Sequence, residues 1–333
     1  MVHQPRRRAA HHHTRVVETR PAEYSAGSKL EKIFKSGQKA VTGECGPPRG
    51  ADAEHFRHKA SFLKGNVDAV NVTDNQTAVV RFCSMAAAKI LLEMGIEPVM
   101  QMVTRDMNRI ALQSNILGAA AMGIKNLLCL TGDHQSLGDH PQAKNVHDMD
   151  SVMLAHTVKT MRDEGKMVGG TEVQGRPKIF IGAAANPFAD PQEFRVVRMG
   201  KKIAAGVQFI QTQCIYNMER FQKFMEMAND MGLTEKCYIM AGITPLKSVG
   251  MANYMKKFVP GLDVPDSYIT RLKGVPKDKV AAEGIKIAVE QIQECLAMKG
   301  IAGIHLMAIE WEDHVPEIVQ AAGLLPRPVV EAD

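Results

Sequence analysis

Short apolar runs recur along the chain, each leading to a polar or charged residue and followed by an amphipathic stretch. They occupy 40–42, 67–72, 98–103, 126–130, 178–181, 207–210, 237–240 and 301–309. Beyond their C-terminal ends stand Glu44, Thr73 with Asp74, Thr104, Thr131-Gly132-Asp133, Asn186, Thr212-Gln213, Thr244 and Glu310. Eight such units over roughly 290 residues predict an α/β fold, a TIM (β/α)8 barrel with an extended loop after strand 4. In that architecture the chemistry gathers on the rim beyond the strand C-termini.

The intervening segments carry the helical period. Phe56, Ala60 and Leu63 form a stripe within 52–63, and further helices are expected over 78–94, 106–122, 150–164, 191–205 and 216–231. Five of these stretches stop at Gly95, Gly123, Gly165, Gly206 and Gly232, residues suited to helix C-caps. Asp106 is placed to cap its helix and Pro191 to open one. Two helices, 251–258 and 267–272, flank Pro260-Gly261, and a last one near 315–322 closes the fold.

Two segments depart from the rhythm. Residues 132–149 hold little apolar material but carry His134, Asp139, His140, Lys144 and His147. That length exceeds an ordinary βα connection and predicts a cover over the barrel mouth. The second is the insertion between 248 and 276. Residues 1–28 are expected to be a flexible basic, histidine-containing tail, 29–325 the barrel, and 326–333 a C-terminal tail.

Composition narrows the classes. The formal net charge is +5, but Arg6, Arg7, Arg8, Arg15 and Arg20 against Glu18 and Glu23 place much of it in the N-terminal tail. With only 5 % aromatic residues, nucleic-acid binding is poorly supported. No 18-residue apolar stretch offers a membrane span, and the N-terminus has no apolar leader core. Six cysteines stand singly, with no C-x-x-C pair, which argues against a disulfide framework, an iron–sulfur cluster or a structural zinc site. A reducing, cytoplasmic location and no metal in this chain are the expectations. His11-His12-His13 lacks a carboxylate or thiolate framework beside it. G-x-G-x-x-G after a strand and G-x-x-x-x-G-K-[ST] are both missing, which disfavours a Rossmann nucleotide domain and a P-loop ATPase.

The strand-end residues define the candidate chemistry. Glu44 precedes the rigid Pro47-Pro48 turn, where partial desolvation would favour a protonated acid; the alternative is a carboxylate that anchors the turn. Gly132 admits a flat ligand close to the backbone, and Asp133 either orders a polar ring edge or caps the next segment. Gln213 offers a donor and an acceptor to an amide-like heterocycle, or makes a structural hydrogen bond. Arg198, Lys201 and Lys202 follow Asn186-Pro187 and either meet a cofactor phosphate or form a solvated basic face.

Taken together, five segments resemble the methylenetetrahydrofolate reductase family: 42–49 (TGECGPPR), 130–133 (LTGD), 181–187 (IGAAANP), 209–213 (FIQTQ) and 240–246 (MAGITPL). The resemblance covers roughly 30–325 and is carried by the order of the motifs at expected strand ends. It implies a barrel holding one non-covalent flavin, FMN or FAD, that passes hydride to 5,10-methylenetetrahydrofolate and yields 5-methyltetrahydrofolate. It further implies Glu44 as the acid that helps open the imidazolidine ring, Asp133 near flavin and pterin, and Gln213 on folate. Thr73, Gln101, Thr131, Gly132, Ala184, Asn186, Arg198, Lys201 and Lys202 would fall on the flavin side.

Two departures concern the electron donor. The Thr131-Gly132-Asp133 segment replaces the more usual arginine-containing approach of the well-known bacterial enzymes, and Met251 and Met255 occupy the approximate places of a glutamine and a phenylalanine that meet NADH. The sequence resembles in particular the reductase subunits of acetogenic and other anaerobic bacteria. That implies a zinc- and iron–sulfur-containing partner delivering electrons within a larger complex. The alternatives are a standalone NAD(P)H-dependent reductase and a non-catalytic folate- or flavin-binding barrel.

Overall fold

The computed structural model describes residues 24–330. Its elements run α1 (Lys29–Lys35), β1 (Ala40–Cys45), α2 (Ala53–Ser61), β2 (Ala69–Val72), α3 (Ser84–Glu93), β3 (Pro98–Val103) and α4 (Arg109–Ala121). They continue with β4 (Asn126–Leu130), α5 (Ser151–Lys159), β5 (Phe180–Ala185), α6 (Gln192–Ala204), β6 (Phe209–Cys214), α7 (Met218–Asp230) and β7 (Tyr238–Ile243). The chain ends with α8 (Val249–Phe258), α9 (Asp266–Lys273), α10 (Val280–Ala297), β8 (Ile301–Leu306) and α11 (Val315–Ala321). The eight strands are parallel, pair in chain order and close through β1 and β8. The chain is therefore a (β/α)8 barrel, as the spacing predicts.

Each strand is buried on both faces, which is why the runs read as continuously apolar rather than alternating. One face supplies the layer between wall and helices, with Val41, Val70, Met100, Leu127, Ile181, Ile210, Ile239 and Ile304 among its members. The opposite face fills the lower interior with Ala40, Ala69, Val99, Leu128, Phe180, Phe209 and Met240. Helix α1 closes this end: Leu30, Ile33 and Phe34 join the same cluster, and the Phe34 ring stacks on Tyr238 at 4.5 Å. Gly182 is small because a Cβ there would overlap the Phe209 ring.

Several boundaries differ from the sequence expectation. The helix expected from 78 starts at Ser84, because 75–83 form a loop with Asn75, Thr77 and Ala78 at φ of 44°, 57° and 56°. Asp106 does not cap α4; Asn108 accepts from the amides of Ile110 and Ala111, while Asp106 pairs with Arg105. Helix α10, at 18 residues the longest of the helices described, lies in a stretch the sequence reading passes over. Beyond residue 325, Arg327 is tied to Asp68 and to the carbonyls of Lys39 and Leu324. Tyr24, in the segment expected as an N-terminal tail, donates to the carbonyl of Ile179 and lies under the Arg162 guanidinium. His11-His12-His13 and the five N-terminal arginines lie outside the described residues. No described helix is long and apolar enough to cross a membrane.

Candidate active site

The barrel interior changes character from bottom to top. Two residues up each strand from the apolar layer come Thr42, Asn71, Gln101 and Gln211, joined by His305 of β8. Two further on, the same side-chain parity brings Glu44, Thr73 and Ala184 to the mouth. Strand geometry thus places four of the sequence-selected residues on the inner face: Glu44, Thr73, Gln101 and Ala184.

Glu44 is the acid of this layer, with its side chain 18 % exposed. Gln101 Nε2 donates to its Oε2 at 3.4 Å, and His305 Nε2 lies 3.6 Å from the same oxygen. Among the described residues nothing bonds Oε1. The carboxylate is not spent on the neighbouring Pro-Pro turn, so the turn-anchor alternative has no bond to support it.

Gln213 lies in an irregularity near the end of β6. The β6–β7 register shifts between Gln211 and Cys214, and the hydroxyl of Thr212 takes the Gly242 amide at 2.8 Å. Such a bulge re-aims a side chain at a strand end. Gln213 Oε1 accepts from the following Cys214 amide at 3.3 Å.

Two covers flank the opening. Over the β1–β4 side, the loop after β4 packs on the loop after β2. The Asp133 carboxylate, exposed, accepts from the Thr77 amide at 3.0 Å, and a Cβ on Gly138 would overlap the carbonyl of Ala78. Asp133 does not cap the next helix; Asp150 does that for α5. Gly132 sits at φ +92° against Val103, a conformation and an approach that a side chain would spoil. Thr131 accepts the Ser151 amide on its hydroxyl at 3.1 Å. The bonds are made in strained backbone, since αL conformations cost energy in residues other than glycine.

Arg105 binds this cover together and was not singled out in the sequence. Buried at the end of β3, it donates to the carbonyls of Asp133 and Asn75 and pairs with Asp106 at 2.7 Å. The guanidinium beside Asp133 therefore arrives from β3, whereas position 131 holds threonine. Only its place directly after Thr104 could have hinted at this. Asp74, buried next to it, accepts the Val103 amide; burial pushes its carboxyl up to about 6.

Over the β6–β8 side, α8 and α9 pack as a satellite core with Cys214, Tyr216, Leu246 and Met307. Met255 is buried in this core and Met251 packs against it. Asn186 caps its own turn by accepting the Phe188 amide, and its amide nitrogen lies where a Cβ on Gly261 would be.

The basic helix divides. Lys201 is exposed and Arg198 half-buried, but Lys202 turns inward and donates to the Ala184 carbonyl at 2.5 Å. Burial, then the nearby Arg198, brings the Lys202 ammonium down to about 8. It braces the end of β5 from behind the wall instead of reaching across the rim.

Several buried polar atoms at this end lack a partner: the hydroxyls of Thr73 and Thr104 and the side-chain oxygens of Gln76, Gln135 and Asn145. Buried polar groups rarely stay unpaired, so this set fits a polar ligand or bound water between the loops after β2, β3 and β4. Among the described residues no group of three or more His, Cys, Asp or Glu could hold a metal ion.

Comparison with known proteins gives the family and the fold. The sequence profile of methylenetetrahydrofolate reductase matches residues 29–323. A probable methylenetetrahydrofolate reductase (NADPH) from Caenorhabditis elegans is 24 % identical over 89 % of this chain and 44 % of its own. Methylenetetrahydrofolate reductase (NADH) 1 from Arabidopsis thaliana is 25 % identical over 89 % of this chain and 50 % of its own. The chain thus spans about half the length, or less, of these curated relatives. They carry the resemblance at family level and do not point to acetogenic bacteria in particular. Among solved structures, an uncharacterized Clostridium thermocellum protein that binds two copies of 5-methyl-5,6,7,8-tetrahydrofolic acid superposes with a TM-score of 0.61. It is 15 % identical, over 90 % of this chain and 99 % of that one, a likeness of fold. On the match of nearly the whole barrel, the chain belongs to the methylenetetrahydrofolate reductase family.

Proposed function

We propose that the chain reduces 5,10-methylenetetrahydrofolate to 5-methyltetrahydrofolate at the barrel mouth, with Glu44 as the acid and a non-covalent flavin as the hydride donor. The observation that carries this reading is the carboxyl of Glu44, held inside the mouth through Oε2 with Oε1 unengaged by any described residue. Methylenetetrahydrofolate is a masked electrophile. A proton from Glu44 to the ring nitrogen lets one carbon–nitrogen bond open, and the methylene carbon becomes an iminium that accepts hydride. Gln213 offers its amide to the folate, and Asp133 offers a carboxylate at the rim. Burying the reacting groups between the two covers excludes water and fixes their approach.

A flavin bound here supplies two electrons as hydride, a store that side chains do not provide. The unpaired hydroxyls of Thr73 and Thr104 and the close backbone at Gly132 suit a flat, polar-edged ring between β2 and β4. Gln101, Thr131 and Ala184 lie around the same rim, with Asn186, Arg198 and Lys201 toward the β5–α6 side. Lys202 would act on such a ligand only through the strand end it braces. Extraction and chromatography of the chromophore distinguish FMN from FAD. A folded chain that binds neither when reconstituted would sink the reading.

The donor favoured is a nicotinamide, because relatives in the family carry NADPH or NADH in their names. The expectation of an iron–sulfur partner rests on the unclustered cysteines and on Met251 and Met255, and the two methionines also serve the packing of α8. Rapid NADH- or NADPH-driven folate reduction by the isolated chain is expected. Turnover with an artificial reductant alone would favour a separate electron-delivering subunit.

A further inference from the structure

Below Glu44 runs a chain of hydrogen bonds whose polarity can be worked out from one end. Asn71 and Gln211 exchange both amide bonds across the barrel: Asn71 Nδ2 donates to Gln211 Oε1 at 2.6 Å, and Gln211 Nε2 donates to Asn71 Oδ1 at 3.1 Å. Flipping either amide alone would set donor against donor, so the two orientations are linked, and in the structure the pair stands with Gln211 Nε2 toward Thr42. Gln211 Nε2 has a second proton, and it points at the hydroxyl of Thr42, 3.1 Å away. A hydroxyl that accepts there keeps one proton to give. The Met240 sulfur at 3.9 Å is a weak acceptor, and His305 Nδ1 at 2.9 Å is a strong one. Thr42 therefore donates to Nδ1, and a neutral His305 carries its own proton on Nε2. That nitrogen faces Oε2 of Glu44 at 3.6 Å.

We infer that His305 is a positioning residue for Glu44: Thr42 holds its Nε2–H tautomer, which with Gln101 claims Oε2 and leaves the acidic proton on Oε1, toward the mouth. This rests on the reading of Glu44 as the acid given above. The separation of 3.6 Å is too long for a hydrogen bond without substrate, and such contacts commonly tighten in the reacting complex. His305 is itself buried, at 3 % exposure, with Nδ1 beside Thr42 and Nε2 toward Glu44. The other groups facing Glu44 are few. Gln101 comes from β3, the Cys214 thiol from β6 feels its charge, and Lys59 with Glu310 and Glu312 lies near Cys45, the residue after Glu44 on β1. Of these, Gln101 donates to Oε2 at 3.4 Å, and the others make no hydrogen bond to it among the described residues.

Histidine-selective 15N NMR tests the tautomer without any folate or reductant. The chain has twelve histidines, so the His305 signals are assigned by their loss in His305→Gln. A protonated Nε2 and bare Nδ1 are expected, with Thr42→Val, which keeps the shape and removes the hydroxyl, abolishing that preference. A protonated Nδ1 in the parent chain would overturn the inference.

The second arm is the pH profile of reduced-flavin oxidation by methylenetetrahydrofolate. His305→Ala should lower the plateau by about 10²-fold, as misplaced catalytic groups do. It should also move the inflection to higher pH, since a donor that favours the ionised carboxylate is gone. His305→Gln keeps an N–H near the Nε2 position and should recover the rate to within about tenfold. Thr42→Val should lower the plateau with Glu44 and His305 both intact, and it carries the test if His305→Ala does not fold. Unchanged plateaus, or equal losses in the Ala and Gln variants with an unmoved inflection, would overturn the inference. A parent chain with the expected tautomer and no folate reduction would instead sink the proposed function.

Discussion

Arg327 closes over Asp68 at the barrel end opposite the mouth, with Nη2 2.6 Å from Oδ2 and Nε 3.1 Å from Oδ1. The Asp68 side chain is 1 % exposed and also accepts the Val41 amide. Folding thus joins the segment after α11 to the start of β1 and to the loop before β2. Arg327→Ala would leave a buried carboxylate without its partner, a change that costs about 3–5 kcal/mol. Urea unfolding should show that loss, with flavin content at low denaturant unchanged. A midpoint equal to the parent's would mean that this ion pair contributes nothing.

Asp74 predicts a pH dependence of stability. Burial is the largest cause of its raised carboxyl; the Val103 amide opposes it, Asp106 adds to it and Arg105 opposes it. The folded value of about 6 exceeds the ordinary 3.8, so the folded chain holds this proton more tightly than the unfolded chain. Its contribution is therefore fully present below about pH 4 and lost as pH rises to 6, by roughly 3 kcal/mol. Asp74→Asn cannot ionise and should flatten that slope when urea midpoints are compared between pH 4 and 7. An identical slope in the variant would assign the dependence to other groups.

The strands were legible because the parallel barrel buries both faces. Pro98–Val103 and Asn126–Leu130 appear with the bounds the apolar runs give. β5 was not fully legible: it runs on through Gly182-Ala183-Ala184-Ala185, small residues that resemble a loop until the Phe209 ring is seen to need the space. Glu44 and Gln213 stand out in the sequence because each lies just after an apolar run, and Gln101 enters through the family resemblance. His305 does not stand out, since it looks like one polar residue inside the last run, and its meaning depends on the register Thr42↔His305. Residues 78–83 read as helix because the conformation of the loop is set by contacts of Thr77 and Ala78 with Asp133 and Gly138, more than fifty residues away.

That same contact yields a ligand prediction. Gly138→Ala would force the β4 loop off the Ala78 carbonyl and disturb Thr77, whose amide holds Asp133. Flavin affinity, followed by fluorescence quenching, should weaken by about tenfold, equivalent to about 1.4 kcal/mol. Unchanged affinity in a well-folded variant would remove this pair of loops from the cofactor site.

The most direct test of the central claim is stopped-flow oxidation of the reduced, flavin-loaded chain by saturating methylenetetrahydrofolate, comparing the parent with Glu44→Gln. Glutamine keeps the size and the contact with Gln101 but has no acidic proton to give. Flavin content should be retained, and the rate should fall by about 10²–10⁴-fold, the range for loss of a positioned acid. A variant that oxidises its flavin at the parent rate would contradict the assignment of Glu44 as the acid.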